Sequence, residues 1–182
     1  MKRVFLTFVL ISSFWACTRG IKIPSGQKAE VEKIQIKPIH AKDIFKLAES
    51  NNAKFTIVNF WASWCQPCRH EFPELLKFKS AYLNKDVAFE FVSVDFEGDL
   101  GDAKLFLSQQ GVHFLTYIKS GDDQSFINEI DKKWQGALPT TFILNKKGNI
   151  LFRYDGPVTS ADLEKKISEL TKSEPSQKKS RK

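Results

Sequence analysis

The chain has 182 residues, 42% of them apolar and sixteen of them Phe, enough for one domain with a sizeable core and too apolar for a disordered or fibrous protein. Its formal charge of +7 is unevenly placed: Lys2 and Arg3 carry two of the positive charges, and residues 172–182 carry five basic side chains against Glu174. The stretch between them is near +1, so a basic groove for nucleic acid is not indicated.

Residues 1–17 read as a signal peptide, with Lys2 and Arg3 preceding an apolar run over residues 4–15 that is shorter than the ~20 residues a membrane-spanning helix needs. The run ends in Phe14-Trp15-Ala16-Cys17, which resembles a bacterial lipoprotein cleavage box and implies lipidation at Cys17; Phe14 and Trp15 are bulkier than that pattern usually shows. Residues 18–38 are polar and basic, broken by Gly20, Pro24, Gly26 and Pro38, and predict a tether in which residues 31–36 pair as an edge strand. Ile44, Leu47 and Ala48 give helical spacing over residues 41–50, which Asn51 and Asn52 end. Residues 55–60 form a short apolar, β-rich run of the kind that makes a buried central strand.

Cys65 and Cys68 follow at C-x-x-C spacing, and helical periodicity begins at the second cysteine: Cys68, Phe72, Leu75, Leu76 and Leu83 share one face, with Pro73 inside the pattern expected to kink it. Residues 87–95 predict a second buried strand, 98–101 a turn, and Ala103, Phe106 and Leu107 a short helix stopped by Gly111. A strand over 114–118 precedes a helix that begins after Asp122-Asp123 and carries Phe126, Ile127, Ile130 and Trp134. Residues 140–144 and 150–154 form a hairpin about a turn at 145–149. The last helix follows Thr159 or Ser160, with Leu163, Ile167 and Leu170 on one face and Asp162 as a capping-box acid; residues 172–182 read as a disordered basic tail.

The cysteine count carries chemistry. Three is odd for an exported chain, and pairing Cys65 with Cys68 leaves Cys17 over for the lipid. At a helix N-terminus, unpaired backbone N–H groups and the helix dipole favour a thiolate at Cys65, and a cysteine three residues on lies close enough to bond with it. Two sulfurs with the scattered His40, His70 and His113 do not make a four-ligand zinc pattern. Copper(I) accepts two thiolates and defines the alternative class, a metal carrier; such carriers recruit thioethers too, and the only Met here is Met1.

Strand, helix, strand, then a hairpin and a last helix describe an α/β domain, a mixed central sheet with helices on both faces, spanning residues 39–171. With a C-x-x-C at the first strand-to-helix junction this order resembles the thioredoxin fold. The run from Asn59 to Pro73 (NFWASWCQPCRHEFP) and the run Leu138-Pro139-Thr140-Thr141-Phe142 together resemble the signatures of the membrane-anchored periplasmic TlpA/ResA-like thiol–disulfide oxidoreductases. The resemblance implies roles. Cys65 attacks a substrate disulfide and Cys68 resolves the mixed disulfide. Pro139 follows a cis bond and faces the cysteines, while Leu138 pairs its backbone with an extended substrate and Trp64 makes a rim contact. Glu71, one turn beyond Cys68, accepts that thiol's proton; Asn59 stands where cytoplasmic thioredoxins carry a buried aspartate and cannot exchange one. Trp61 reads as a packing residue and His70 as surface. No cofactor is implied beyond the cysteine couple. The expected protein is an exported monomer, lipid-anchored at the periplasmic face of a bacterial membrane. It reduces cysteine pairs of other proteins, as in cytochrome c maturation, and is recharged by a membrane electron donor. A disulfide oxidase or isomerase is the alternative within enzymes.

Overall fold

Residues 55–61 (FTIVNFW) are apolar, aromatic or β-branched apart from Asn59, and each is buried, which only a strand covered on both faces permits. In the computed structural model, which describes residues 25–82 and 85–173, this strand, β2 (Phe55–Trp61), lies at the centre of a six-stranded sheet. The other strands are β1 (Ile36–Ile39), β3 (Val87–Ser93), β4 (Thr116–Lys119), β5 (Thr140–Asn145) and β6 (Ile150–Asp155), in the order β1-β4-β3-β2-β5-β6. The first four are parallel to one another; β5 runs antiparallel to β2, and β6 antiparallel to β5.

Alternation along β2 divides the core in two. Phe55, Ile57 and Trp61 join one cluster with Phe72, Leu75 and Phe78 of α3 (Gln66–Ala81), Phe106 of α4 (Leu100–Gln109) and Leu163 of α6 (Ser160–Ser173). Val58 and Phe60 join the opposite cluster with Ile44 and Ala48 of α2 (Ala41–Ser50) and Phe126 and Ile130 of α5 (Asp123–Ile130). Helices therefore cover both faces of a mixed sheet, as in the thioredoxin fold.

The expected helix over 41–50 matches α2, and the helix stopped by Gly111 matches α4, with that glycine at φ 68°. Three expectations shift. Residues 31–36 are not a strand: α1 (Ser25–Lys33) holds Val31, which with Ile34 three residues on suits a helical face better than strand alternation, and α1 rests on α4. The edge strand comes later, in register from Ile36 opposite Thr116, and there Pro38 lacks only a donor that an outer strand can do without. Because β4 pairs with β1 only from Thr116, Phe114 precedes the strand and packs its side chain into the core. Trp134 lies beyond α5, which stops at Ile130; a turn buries it, with its N–H on the Asp131 carbonyl (2.8 Å) and its indole Nε1 on the Ala137 carbonyl (3.2 Å). The sheet thus starts at Ile36, inside the stretch read as a tether, and α6 runs to Ser173, just past the expected start of the tail. The signal peptide, Cys17, Leu83 and residues 174–182 lie outside the described residues.

Candidate active site

The site sits at the carboxyl ends of β2 and β3, where an open α/β sheet presents its loops. Leaving β2, the chain passes Ala62, Ser63 and Trp64 and enters α3 with Cys65 as N-cap and Pro67 in the first turn, where a missing N–H leaves no bond unmade. The Cys68 N–H donates to Cys65 Sγ at 3.3 Å, so the cap is sulfur. Cys65 and Cys68 are joined by a disulfide. Both are buried, Cys68 fully. The same N–H and the helix dipole stabilise negative charge on Cys65 once the bond opens.

One turn further, Glu71 is buried against the sheet. Its Oε1 accepts from Asn59 Nδ2 (2.9 Å) and its Oε2 from the Val158 N–H just before α6 (2.8 Å). Burial nevertheless outweighs these two bonds and pushes the carboxyl up to about 7. Asn59 also donates to Thr141 Oγ1 (2.9 Å), linking β2, α3 and β5 through one amide. Trp61 is buried between Phe72 and Phe106 with ring centroids 5.2 Å from each, and His70 is exposed beside Gln66.

The Leu138–Pro139 bond is cis, and Gly136 at φ 76° turns the chain toward it; a Cβ at Gly136 would meet Ile127 Cδ1 at 2.6 Å. The Pro139 carbonyl is taken by the Gly156 N–H (2.9 Å), whereas among the described residues no hydrogen bond uses the Leu138 N–H or carbonyl. Leu138 borders a groove of about 180 Å³ that it shares with Trp64, Val94, Phe96 and Trp134. Trp64 and Phe96 are each 57% exposed, the large apolar side chains that the described surface leaves most open, and both line this groove. Lys119 and Asp123 at its edge pair with each other.

Sequence reasoning passed over Ser63, Asp95 and Arg69. Asp95, directly beyond β3, binds Ser63, and Arg69 Nη1 donates to the Ser63 carbonyl at 3.1 Å. An acid just beyond a buried strand, on the side of the cysteines, was the available signal. Among the described residues no three His, Cys, Asp or Glu side chains gather as a metal-binding group.

A sheet of this order with a disulfide at the first helix start is a thioredoxin-like redox scaffold, and the Redoxin family model matches residues 38–168. The chain belongs to the Redoxin family. Within it, this redoxin is similar to the thiol:disulfide interchange protein HelX of Rhodobacter capsulatus, with 33% identity over 78% of this chain and 74% of that one. It is 29% identical to the thiol-disulfide oxidoreductase ResA of Bacillus thuringiensis over 90% of this chain and 87% of the other. Among solved structures, a thiol:disulfide interchange protein of Chlorobium tepidum superposes with a TM-score of 0.54 at 25% identity, covering 65% of this chain and 80% of that one. This redoxin is a thiol–disulfide oxidoreductase related to the ResA, TlpA and DsbE types, and the Cys65–Cys68 disulfide is its redox centre.

Proposed function

We propose that this redoxin is an extracytoplasmic reductant of protein disulfides, of the kind that serves cytochrome c maturation. The observation that carries the reading is Glu71: a carboxyl that titrates at about 7, one turn beyond Cys68, is matched to accept a thiol proton near neutral pH. The Cys65 thiolate attacks a substrate disulfide, forming a mixed disulfide and releasing the first substrate thiolate. Glu71 takes the Cys68 proton, and the Cys68 sulfur attacks Cys65 Sγ; the second substrate thiolate leaves, two electrons have passed to the substrate, and the Cys65–Cys68 disulfide remains. A membrane dithiol donor then restores the couple. The open backbone of Leu138, next to the cis bond, supports its pairing with an extended substrate beside Pro139, with Trp64 at the rim. The leader sequence and Cys17 support export and a lipid anchor at the periplasmic face. The chain acts as a monomer.

The deciding measurement is the reduction potential of the couple. A value more negative than that of glutathione is expected, and a value in the range of strong oxidants overturns the reading. Cys65→Ser and Cys68→Ser should each abolish catalysed insulin reduction; full turnover in either variant would sink the two-cysteine mechanism. Palmitate labelling should mark the wild type and not Cys17→Ser.

A further inference from the structure

We propose that Asp95 is a positioning residue for Cys65 whose negative charge holds the Cys65–Cys68 couple toward the reducing side. Its carboxylate is 1% exposed, at the carboxyl end of β3. Both oxygens accept from the Ser63 N–H (3.0 Å each), Oδ1 also from Ser63 Oγ (2.6 Å), and Oδ2 from Ser93 Oγ (2.5 Å). The Asp95 N–H in turn donates to Ser93 Oγ (3.0 Å). Ser63 is thereby held through its N–H and hydroxyl by Asp95 and through its carbonyl by Arg69, whose guanidinium lies over the Phe106 ring at 4.8 Å. The Cys65 N–H is bound back to the Ala62 carbonyl (3.1 Å). Ser63 is therefore tied to the end of β3 and to α3, and Ala62 to the α3 cap, so Cys65 is presented from a fixed loop.

The charge has a second consequence. An acid that only packed a strand end would need no such set of donors, and burial of a carboxylate is tolerated here because the Ser63 N–H and hydroxyl and the Ser93 hydroxyl converge on it. Its buried carboxylate faces Ser63, two residues before Cys65. Arg69 and the N-terminus of α3, with the Cys68 N–H at its tip, favour a Cys65 thiolate; Asp95 opposes them. Destabilising the thiolate destabilises the reduced couple, which makes it a better electron donor. This inference needs the couple to be redox-active and holds whichever way electrons flow in the cell.

The test is to equilibrate wild type and Asp95→Asn with glutathione buffers and, in the reduced proteins, to titrate Cys65 by thiolate absorbance. Asparagine keeps an acceptor for the Ser63 N–H and removes the charge. The Cys65 pKa should fall and the equilibrium should move toward the reduced couple by about tenfold, or about 30 mV for two electrons. Asp95→Ala, which also frees the loop, should show the same direction of shift with slower insulin reduction. If the asparagine variant does not fold, Asp95→Ser, neutral with a hydroxyl acceptor, is measured the same way. A variant that folds and keeps the wild-type potential and Cys65 pKa, or shifts them the other way, overturns the proposal, whatever it has lost in stability.

Discussion

A buried carboxyl with two donors is unusual in keeping its proton to about pH 7. Glu71 does so because the Asn59 amide and the Val158 N–H together return less than water would have given the ion, a difference of roughly 3 kcal/mol. The sign for stability follows. The folded protein holds this proton above the pH at which the unfolded chain, near 4.5, has released it. Stability from this group is therefore present at low pH and is lost as pH rises from about 4.5 through about 7. Glu71→Gln should remove that decline, which urea unfolding at a series of pH values would read. The same substitution removes the proton acceptor: resolution of a trapped mixed disulfide should slow on the order of 10²-fold, and its rate should lose the inflection near pH 7. An unchanged pH–rate profile would return Glu71 to a structural role. The Glu71 position was legible in the sequence because helical spacing alone puts it one turn beyond Cys68. Its titration was not, since Val158 lies 87 residues away and the Thr141 that orients Asn59 lies 82 residues away. Asp95 was hidden for the same reason, its partner Ser63 being 32 residues earlier.

At the scale of elements, α6 is part of the site: Leu163 and Ile167 share the buried cluster that holds Cys65 and Cys68. Its first turn is closed by a capping box: Asp162 N donates to Thr159 Oγ1 (3.2 Å), and Asp162 Oδ2 accepts from the Thr159 N–H (3.0 Å) and hydroxyl (2.6 Å). The preceding residue is Val158, whose N–H is spent on Glu71, so the cap fixes the donor. Asp162→Ala should lower global stability and raise the Glu71 pKa further as Val158 loosens, a shift that carboxyl NMR titration detects. A loss of stability with the Glu71 titration unmoved would confine the cap to α6. Elements of this kind were read from sequence because they announce themselves locally: Asp162 by its offset from Thr159, α2 by its apolar spacing, the hairpin of β5 and β6 by its turn. The failures came where partners decide. The spacing of Val31 and Ile34 favours a helical face, but two apolar residues in a polar stretch decide little until α4 is there to receive them, and Trp134 belongs to a turn because its indole finds the Ala137 carbonyl.

The whole molecule acts on the couple through one linkage. Opening the Cys65–Cys68 bond can be done in the folded protein or in the unfolded chain, and unfolding can be done with the bond closed or open; the four steps close a cycle. The difference in folding stability between the disulfide and dithiol forms therefore equals the difference in disulfide stability between folded and unfolded protein. A four-residue loop contributes about 2 kcal/mol to restraining the unfolded chain in the chain-entropy model, and what the fold does to the two sulfurs adds to that figure or subtracts from it. Here the influences on Cys65 oppose one another: the α3 terminus and Arg69 stabilise its thiolate, Asp95 and burial of both cysteines act against it. A reductant requires the second group to win, which makes the folded disulfide form the more stable one. Urea unfolding of the disulfide and dithiol forms should therefore place the disulfide form higher by roughly 1–3 kcal/mol, each 1.4 kcal/mol corresponding to about 30 mV in the potential. A dithiol form that resists urea better than the disulfide form would identify an oxidant, because a fold that stabilises its own thiolate draws electrons in.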